Sequence, residues 1–119
     1  YDSVARAACV VARQLGARAI VPITHSGTTA FRLSKYRPQA PIIAVTGRGK
    51  ILRRMNLAWG VRGIVVADYQ RDADSAFKRI LDELLRLGHV QRGDFVVFTA
   101  GLPLLQKSTT NTIKVEQVE

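Results

Sequence analysis

The chain has 119 residues, 47% of them hydrophobic and only 7% aromatic, with 18 basic against 9 acidic side chains and a net charge of +9. That length gives one domain with a proper core, and a composition rich in Val, Ile, Leu and Ala fits an α/β class. No apolar run approaches the roughly 18 residues needed to cross a bilayer, no signal-peptide pattern is present, and the lone Cys9 rules out an internal disulfide, so the expected setting is cytoplasmic and away from membranes. Tyr1 is not an initiator Met and a helical pattern begins almost at once, so the sequence reads as a piece of a longer polypeptide. The basic balance attracts polyanions and phosphorylated metabolites in general. It also raises nucleic-acid binding, but the cations are spread along the chain with no helix-turn-helix, zinc knuckle or RNA-recognition aromatic motif, so nucleic acid is not expected as a partner.

Helix one is expected over about Ser3 to Leu15, with Val4, Ala8, Val11 and Leu15 as its inner stripe, Asp2 or Ser3 as its cap and Gly16 as its stop. Cys9 lies among alanines and valines and reads as small core filler. Strand one, about Arg18 to Ile23, is apolar on both faces, as in a parallel sheet covered by helices. Pro22 lacks a ladder donor and should stand where the strand leaves the sheet.

Thr24-His25-Ser26-Gly27-Thr28-Thr29 then forms a hydroxyl-rich turn into helix two, from Ala30 to Tyr36. Four hydroxyls, open helix N–H groups, the positive end of the helix dipole and a glycine suit an anion, most simply a phosphate. The competing reading is that Ser26 or Thr28 merely caps the helix. Pro38 and Pro41 end helix two, and strand two is Ile42-Ile43-Ala44-Val45.

Thr46-Gly47-Arg48-Gly49-Lys50 resembles a nucleotide-binding loop only superficially, because the glycine spacing is too short and Ile51 replaces the required Ser or Thr. Helix three is expected from Lys50 to Trp59, burying Ile51, Leu52, Met55 and Trp59 and leaving Arg53 and Arg54 in solvent. Strand three is Gly63 to Ala67. Helix four runs from about Asp74 to Leu87, with Lys78–Asp82, Arg79–Glu83 and Asp82–Arg86 able to pair on its outer face. Strand four, Phe95 to Phe98, leads into the Thr99-Ala100-Gly101-Leu102-Pro103 turn. After a loop from Leu104 to Thr110, residues Asn111 to Val118 alternate as an edge strand. With no helix in the connection, its pairing should be antiparallel. The order gives a three-layer α/β/α domain. If the winding reverses between strands one and four, the 24–29 and 99–103 turns face each other across a ligand crevice.

The run Ser34-Lys35-Tyr36-Arg37-Pro38-Gln39-Ala40-Pro41-Ile42-Ile43-Ala44-Val45-Thr46 is long and specific. Together with Thr24 to Ala30, Trp59-Gly60-Val61, Gly93-Asp94, Thr99 to Pro103 and Thr110 to Val115, it makes the whole chain resemble the C-terminal domain of pyruvate kinase. The resemblance implies a five-stranded, mostly parallel sheet of order 3-2-1-4-5 with strand five antiparallel. It implies residues 1–119 as one regulatory and oligomerisation domain, inert alone. Its parent would move a phosphoryl group from phosphoenolpyruvate to ADP in glycolysis, using magnesium and potassium in a catalytic barrel that this chain lacks.

It further implies a phosphorylated effector held by Thr24, Ser26, Gly27, Thr28 and Thr29, with His25, Arg48, Lys50, Gly101, Pro103 and Lys107 as candidate further contacts. Neither a catalytic residue nor a metal or other cofactor is implied within the domain itself. Its implied partners are its own catalytic domain and, through strand five and a neighbouring helix, further copies in a homotetramer. The sequence departs from the family pattern at Leu104-Leu105-Gln106-Lys107-Ser108, where many relatives carry glycines. Such a loop is stiffer than one that wraps a sugar bisphosphate, which leaves sugar monophosphates, nucleoside monophosphates or inorganic phosphate. Two further readings stand beside this one: a stand-alone phosphate-binding domain without kinase activity, and a basic nucleic-acid-binding domain.

Overall fold

The computed structural model describes residues 2–66, 72–101 and 110–119. In chain order its elements are α1 (Asp2–Leu15), β1 (Ala19–Pro22), α2 (Thr28–Lys35), β2 (Ile42–Thr46), a 3-10 turn (Gly49–Ile51), α3 (Leu52–Met55), β3 (Val61–Val65), α4 (Ala73–Arg86), β4 (Phe95–Ala100) and β5 (Thr112–Gln117). The sheet order is β3-β2-β1-β4-β5. All neighbours are parallel except β4 and β5, which run antiparallel from Phe95↔Gln117 to Ala100↔Thr112. The expected mostly parallel 3-2-1-4-5 sandwich is the fold observed. Among the described residues no helix is long and apolar enough to cross a membrane.

The strands β1, β2 and β4 are continuous apolar runs because both faces are covered. On one face α4 lays Ala76, Phe77, Ile80 and Leu84 against Val21, Val45 and Phe98, with the Phe77 and Phe98 ring centroids 4.9 Å apart. On the other, α1 and α2 cover Ile20, Ile42 and Val97, and α3 joins them through Met55 against Ala30 and Ala44.

Pro22 closes β1, and its missing donor falls on the β2 side. Its neighbours Ile20 and Thr24 donate to Pro41 and Val45 on that side, whereas Ile23 donates to Thr99 of β4 at 2.8 Å. The β1–β2 ladder is accordingly interrupted there and resumes as a single bridge, Ile23↔Val45.

Several expectations need correction. The buried stripe of α1 is Ala5, Ala8 and Ala12, with Val4 and Val11 half-buried and Leu15 exposed. The spacing is right, but the face is rotated by about one residue, because the small alanines let the helix sit close to the sheet. α1 already includes Asp2 and Ser3, so neither stands ahead of it as a cap. Cys9 is half-buried at the edge of that core, and burial pushes its thiol pKa up.

The third helix is one 3-10 turn plus one helical turn and stops at Met55. Trp59, expected inside, is 52% exposed, and Leu57 is 79% exposed. The remaining residues to Gly60 form a turn that feeds β3. Strand three starts at Val61, two residues earlier than expected, and includes exposed Arg62. As the sheet's edge, it need not be apolar throughout. Ala67, expected to close it, lies outside the described residues.

Asp72 caps α4, accepting from both the N–H and hydroxyl of Ser75, which holds its carboxyl below the usual range. Of the outer pairs, Arg79–Glu83 forms at 3.2 Å, while Arg86 turns to Glu83 rather than Asp82, and Lys78–Asp82 is not seen among the described ion pairs. These two arginines, Arg86 first, hold Glu83 below its ordinary pKa.

Met55 is the best-buried residue of the short third helix, and its packing depends on a strand glycine. A Cβ on Gly63 would lie 2.7 Å from Leu52 Cδ1 and 3.0 Å from Met55 Cε. Gly63→Ala should therefore destabilise by about 1–3 kcal/mol through overpacking. Met55→Ala should cost about 2–5 kcal/mol through the cavity it leaves. Urea denaturation of both variants checks these values; a neutral Gly63→Ala would mean that α3 shifts freely on β3.

Candidate functional site

The carboxyl ends of β1 and β4 are adjacent, and the segments that leave them meet. Residues 24–29 leave β1, and Thr99 to Gly101 end β4. Thr29 Oγ1 shares a 2.6 Å hydrogen bond with Thr110 Oγ1, just ahead of β5. Asn111 N–H donates to Ala100 O at 3.0 Å, which holds that return segment against the end of β4. The reversal of winding expected between strands one and four is present, and the 24–29 segment meets the segment ahead of β5 there.

Within the 24–29 turn each hydroxyl has a distinct task. Thr24 is buried, and its Oγ1 accepts from Gly27 N–H at 2.9 Å, closing the turn on itself. Ser26 and Thr28 are exposed and share a 2.9 Å hydrogen bond between their hydroxyls. Ser26 Oγ lies 3.4 Å from Thr28 N, at the long end for a hydrogen bond. Thr29 is half-buried and faces Thr110. His25 is half-buried.

The capping alternative is not what the structure has. The N-cap of α2 is Gly27, at φ +87°, and no side chain caps the helix. The Thr28 N–H has only the long contact to Ser26 Oγ, and the positive end of the dipole stands beside the two exposed hydroxyls. The arrangement is neutral in itself, a cluster of donors with no acidic residue in the first turn of α2.

Gly27 is needed for two reasons that act together. Its left-handed backbone costs an L-residue energy, and a Cβ there would stand 3.1 Å from Met55 Cγ. The underside of the turn thus rests on the buried methionine of α3. Arg54, next to Met55, lies over the Phe31 ring at 5.7 Å and brings one cation alongside α2.

The candidate further contacts divide. Arg48 and Lys50 are exposed on the loop after β2, the neighbouring strand, and no hydrogen bond joins either to residues 24–29 among the described residues. Thr46 Oγ1 accepts from Arg48 N–H at 3.1 Å, which shapes that loop. Gly101 follows β4 at the crevice. Pro103 and Lys107 lie outside the described residues.

Thr110 belongs to the family-like run up to Val115, but no local pattern signals its partner 81 positions back. Thr99, of the turn expected to face residues 24–29, is fully buried, and its hydroxyl has no hydrogen-bond partner among the described residues.

A family profile described as "Pyruvate kinase, alpha/beta domain" matches residues 2–116. The chain is 42% identical over 118 residues to a pyruvate kinase of Clostridium acetobutylicum, covering 99% of this chain and 25% of that protein. It is 38% identical over 117 residues to a pyruvate kinase of Geobacillus stearothermophilus, covering 98% of this chain and 20% of that one. Among solved structures it is similar to a pyruvate kinase from Cryptosporidium parvum, with a TM-score of 0.85 at 26% identity, covering 99% of this chain and 22% of that chain. The chain spans no more than about a quarter of the length of these curated relatives.

Gly27→Ala tests how the turn is held. The left-handed backbone alone costs about 1–2 kcal/mol. Contact with Met55 adds to it, and Met55→Ala in the same chain should recover part of that added loss. Additive losses in denaturation of the double variant would show that Met55 does not hold the turn.

Proposed function

Because the chain belongs to the pyruvate kinase family, as a counterpart of its α/β domain, we propose that it is a regulatory and assembly module whose 24–29 turn holds the phosphate of a small metabolite. The observation that carries this reading is the uncapped start of α2. Three elements meet there: the positive end of the α2 dipole with no side-chain cap on it, the exposed hydroxyls of Ser26 and Thr28, and the Thr29–Thr110 link between the two segments. A phosphate supplies acceptors to all of them at once. In this reading the phosphoryl transfer of the family belongs to the parent polypeptide, and so do its magnesium and potassium. The 119 residues add control.

The magnitudes fit a modest ligand. A dipole end contributes about 0.3–1 kcal/mol, up to ~2 when partly buried. Each hydrogen bond to a charged group adds roughly 1.5–3 kcal/mol. Neither Arg48 nor Lys50 is hydrogen-bonded to residues 24–29 among the described residues, and a turn that relies on its hydroxyls and dipole favours a phosphate monoester over a polyphosphate.

Ser26→Asp separates binding from folding. Ser26 is exposed and does not cap α2, so the fold should survive, with the melting temperature within a few degrees. The carboxylate takes the place of the anion and repels it. Calorimetric titration with a hexose monophosphate should show binding in the parent sequence and none in the variant. Retained binding would place any phosphate elsewhere.

The assembly part of the reading rests on β5, the other edge of the sheet, where Val115 is 40% exposed. Lys114 and Glu116 alternate with it and pair along their own strand at 3.6 Å. Such an edge pairs naturally with a second copy of itself about a two-fold axis. Val115→Pro should remove a backbone donor and weaken self-association in sedimentation velocity. An unchanged dimer, or a parent chain that is monomeric at high concentration, would remove β5 as the contact.

A further inference from the structure

At the amino end of the parallel strands, away from the 24–29 turn, a cavity of about 360 Å³ opens between α1 and the connection from α2 to β2. Its size falls within the range of small-molecule sites. Its walls combine Arg6, Arg13 and Arg37 with an apolar floor that includes Ala12, Ala17 and Ala40 of the α1 core, and no acidic side chain is among its described lining. Neither Arg6 nor Arg13 is ion-paired among the described residues. Three arginines on one apolar hollow, with no carboxylate among its described lining, form an anion-attracting field.

Arg37 carries the argument further. It is the only non-glycine at positive φ among the described residues, at 45°. Glycine is the easy residue there, so a large side chain in a strained backbone needs a reason. Its guanidinium lies over the Trp59 ring, 4.9 Å from the centroid, and Trp59 is itself held by a 2.6 Å hydrogen bond from Ser34 Oγ to its carbonyl. Stacking uses the face of the guanidinium and leaves the in-plane N–H fork for a carboxylate or phosphate. Arg13 stands in the last turn of α1, which ends at this same edge of the sheet. The carbonyls of Ala12 and Arg13 are already taken by Ala17 and Gly16 N–H groups, so the helix end does not present them to an anion.

We propose that this cavity binds a small organic anion with an apolar body, its phosphate or carboxylate head between Arg13 and Arg37 and its body on the alanine floor. The site is separate from the 24–29 turn and does not depend on the reading given to that turn.

Hexyl phosphate is a suitable probe, with inorganic phosphate and hexanol as head-only and body-only controls. Trp59 is the sole tryptophan, so its fluorescence reports on the Arg37 stack. In a Ser26→Asp background, where the 24–29 turn no longer takes a phosphate, hexyl phosphate should give a saturable fluorescence change and a single-site calorimetric isotherm, at least about tenfold tighter than either control. Arg13→Glu should weaken it about tenfold or more with the melting temperature nearly unchanged. Arg37→Gly relieves the backbone, so the fold should be as stable or more so while calorimetric affinity falls.

Phosphatidate-containing vesicles distinguish a free anion from a lipid headgroup, and the protein should not pellet with them. The proposal is overturned if Arg13→Glu binds as the parent does, or if inorganic phosphate or hexanol binds as well as the ester. It is overturned too if Ser26→Asp abolishes the binding, or if the protein follows vesicles while hexyl phosphate gives no heat.

Discussion

Met55 is the contact on which the carboxyl end of the sheet depends. It is fully buried, and it is wedged against both Gly27 of the first turn and Gly63 of the edge strand. One flexible, unbranched side chain thereby dictates two glycines far apart in sequence. The consequence runs in both directions. The third helix is a single turn with little else inside, so it stays on the sheet because Met55 and Leu52 are anchored there. The 24–29 turn, in its positive-φ conformation, is in turn supported from beneath rather than held by a cap.

That support explains why the turn into α2 holds its shape without a side-chain cap. A conventional Ser or Thr cap would satisfy one of the first N–H groups of α2 and leave less for an anion. Here Thr24 closes the turn through Gly27 N–H, and Met55 fixes the glycine from the other side. The hydroxyls of Ser26 and Thr28 are left bonded to each other in solvent, a pairing that an incoming acceptor can replace at little cost. Cations are kept one step away: Arg54 is stacked on Phe31, and Arg48 and Lys50 stand on the next loop.

The layer order was readable because β1, β2 and β4 are unbroken apolar runs between glycine- and proline-marked turns, and β5 alternates. The crevice followed from that order. What could not be read locally was set by long-range contacts. Trp59 looked like core on a helical spacing that ends four residues earlier, and it is instead exposed under Arg37. In α1 the spacing of Val4, Ala8, Val11 and Leu15 predicts a stripe of which only Ala8 is fully buried. Close approach to the sheet selects Ala5 and Ala12 beside it, a choice made by the neighbouring surface. Gly27 was legible as a glycine that frees a backbone, whereas its contact with Met55 needs the third dimension. The Thr29–Thr110 bond joins segments whose proximity depends on β5 returning beside β4.

Thr99 is the residue at which burial and hydrogen bonding pull in different directions. It sits opposite Pro22 on the neighbouring strand and opposite Ile113 of β5, fully buried, with its hydroxyl unpartnered. Leaving such a group buried costs about 1–3 kcal/mol, and valine would fill nearly the same volume without that cost. A purely structural strand has no use for the hydroxyl at this position. Its backbone carbonyl, however, accepts from Ile23 N–H at 2.8 Å, and the next residues end β4 at the crevice. Thr24, also buried, spends its hydroxyl on the turn, and Thr110 spends its own on Thr29. Thr99 alone of these three is left with unused hydrogen-bonding capacity, one residue from the end of its strand. The polar group at that position costs stability and leaves an unused donor and acceptor beside the adjacent ends of β1 and β4.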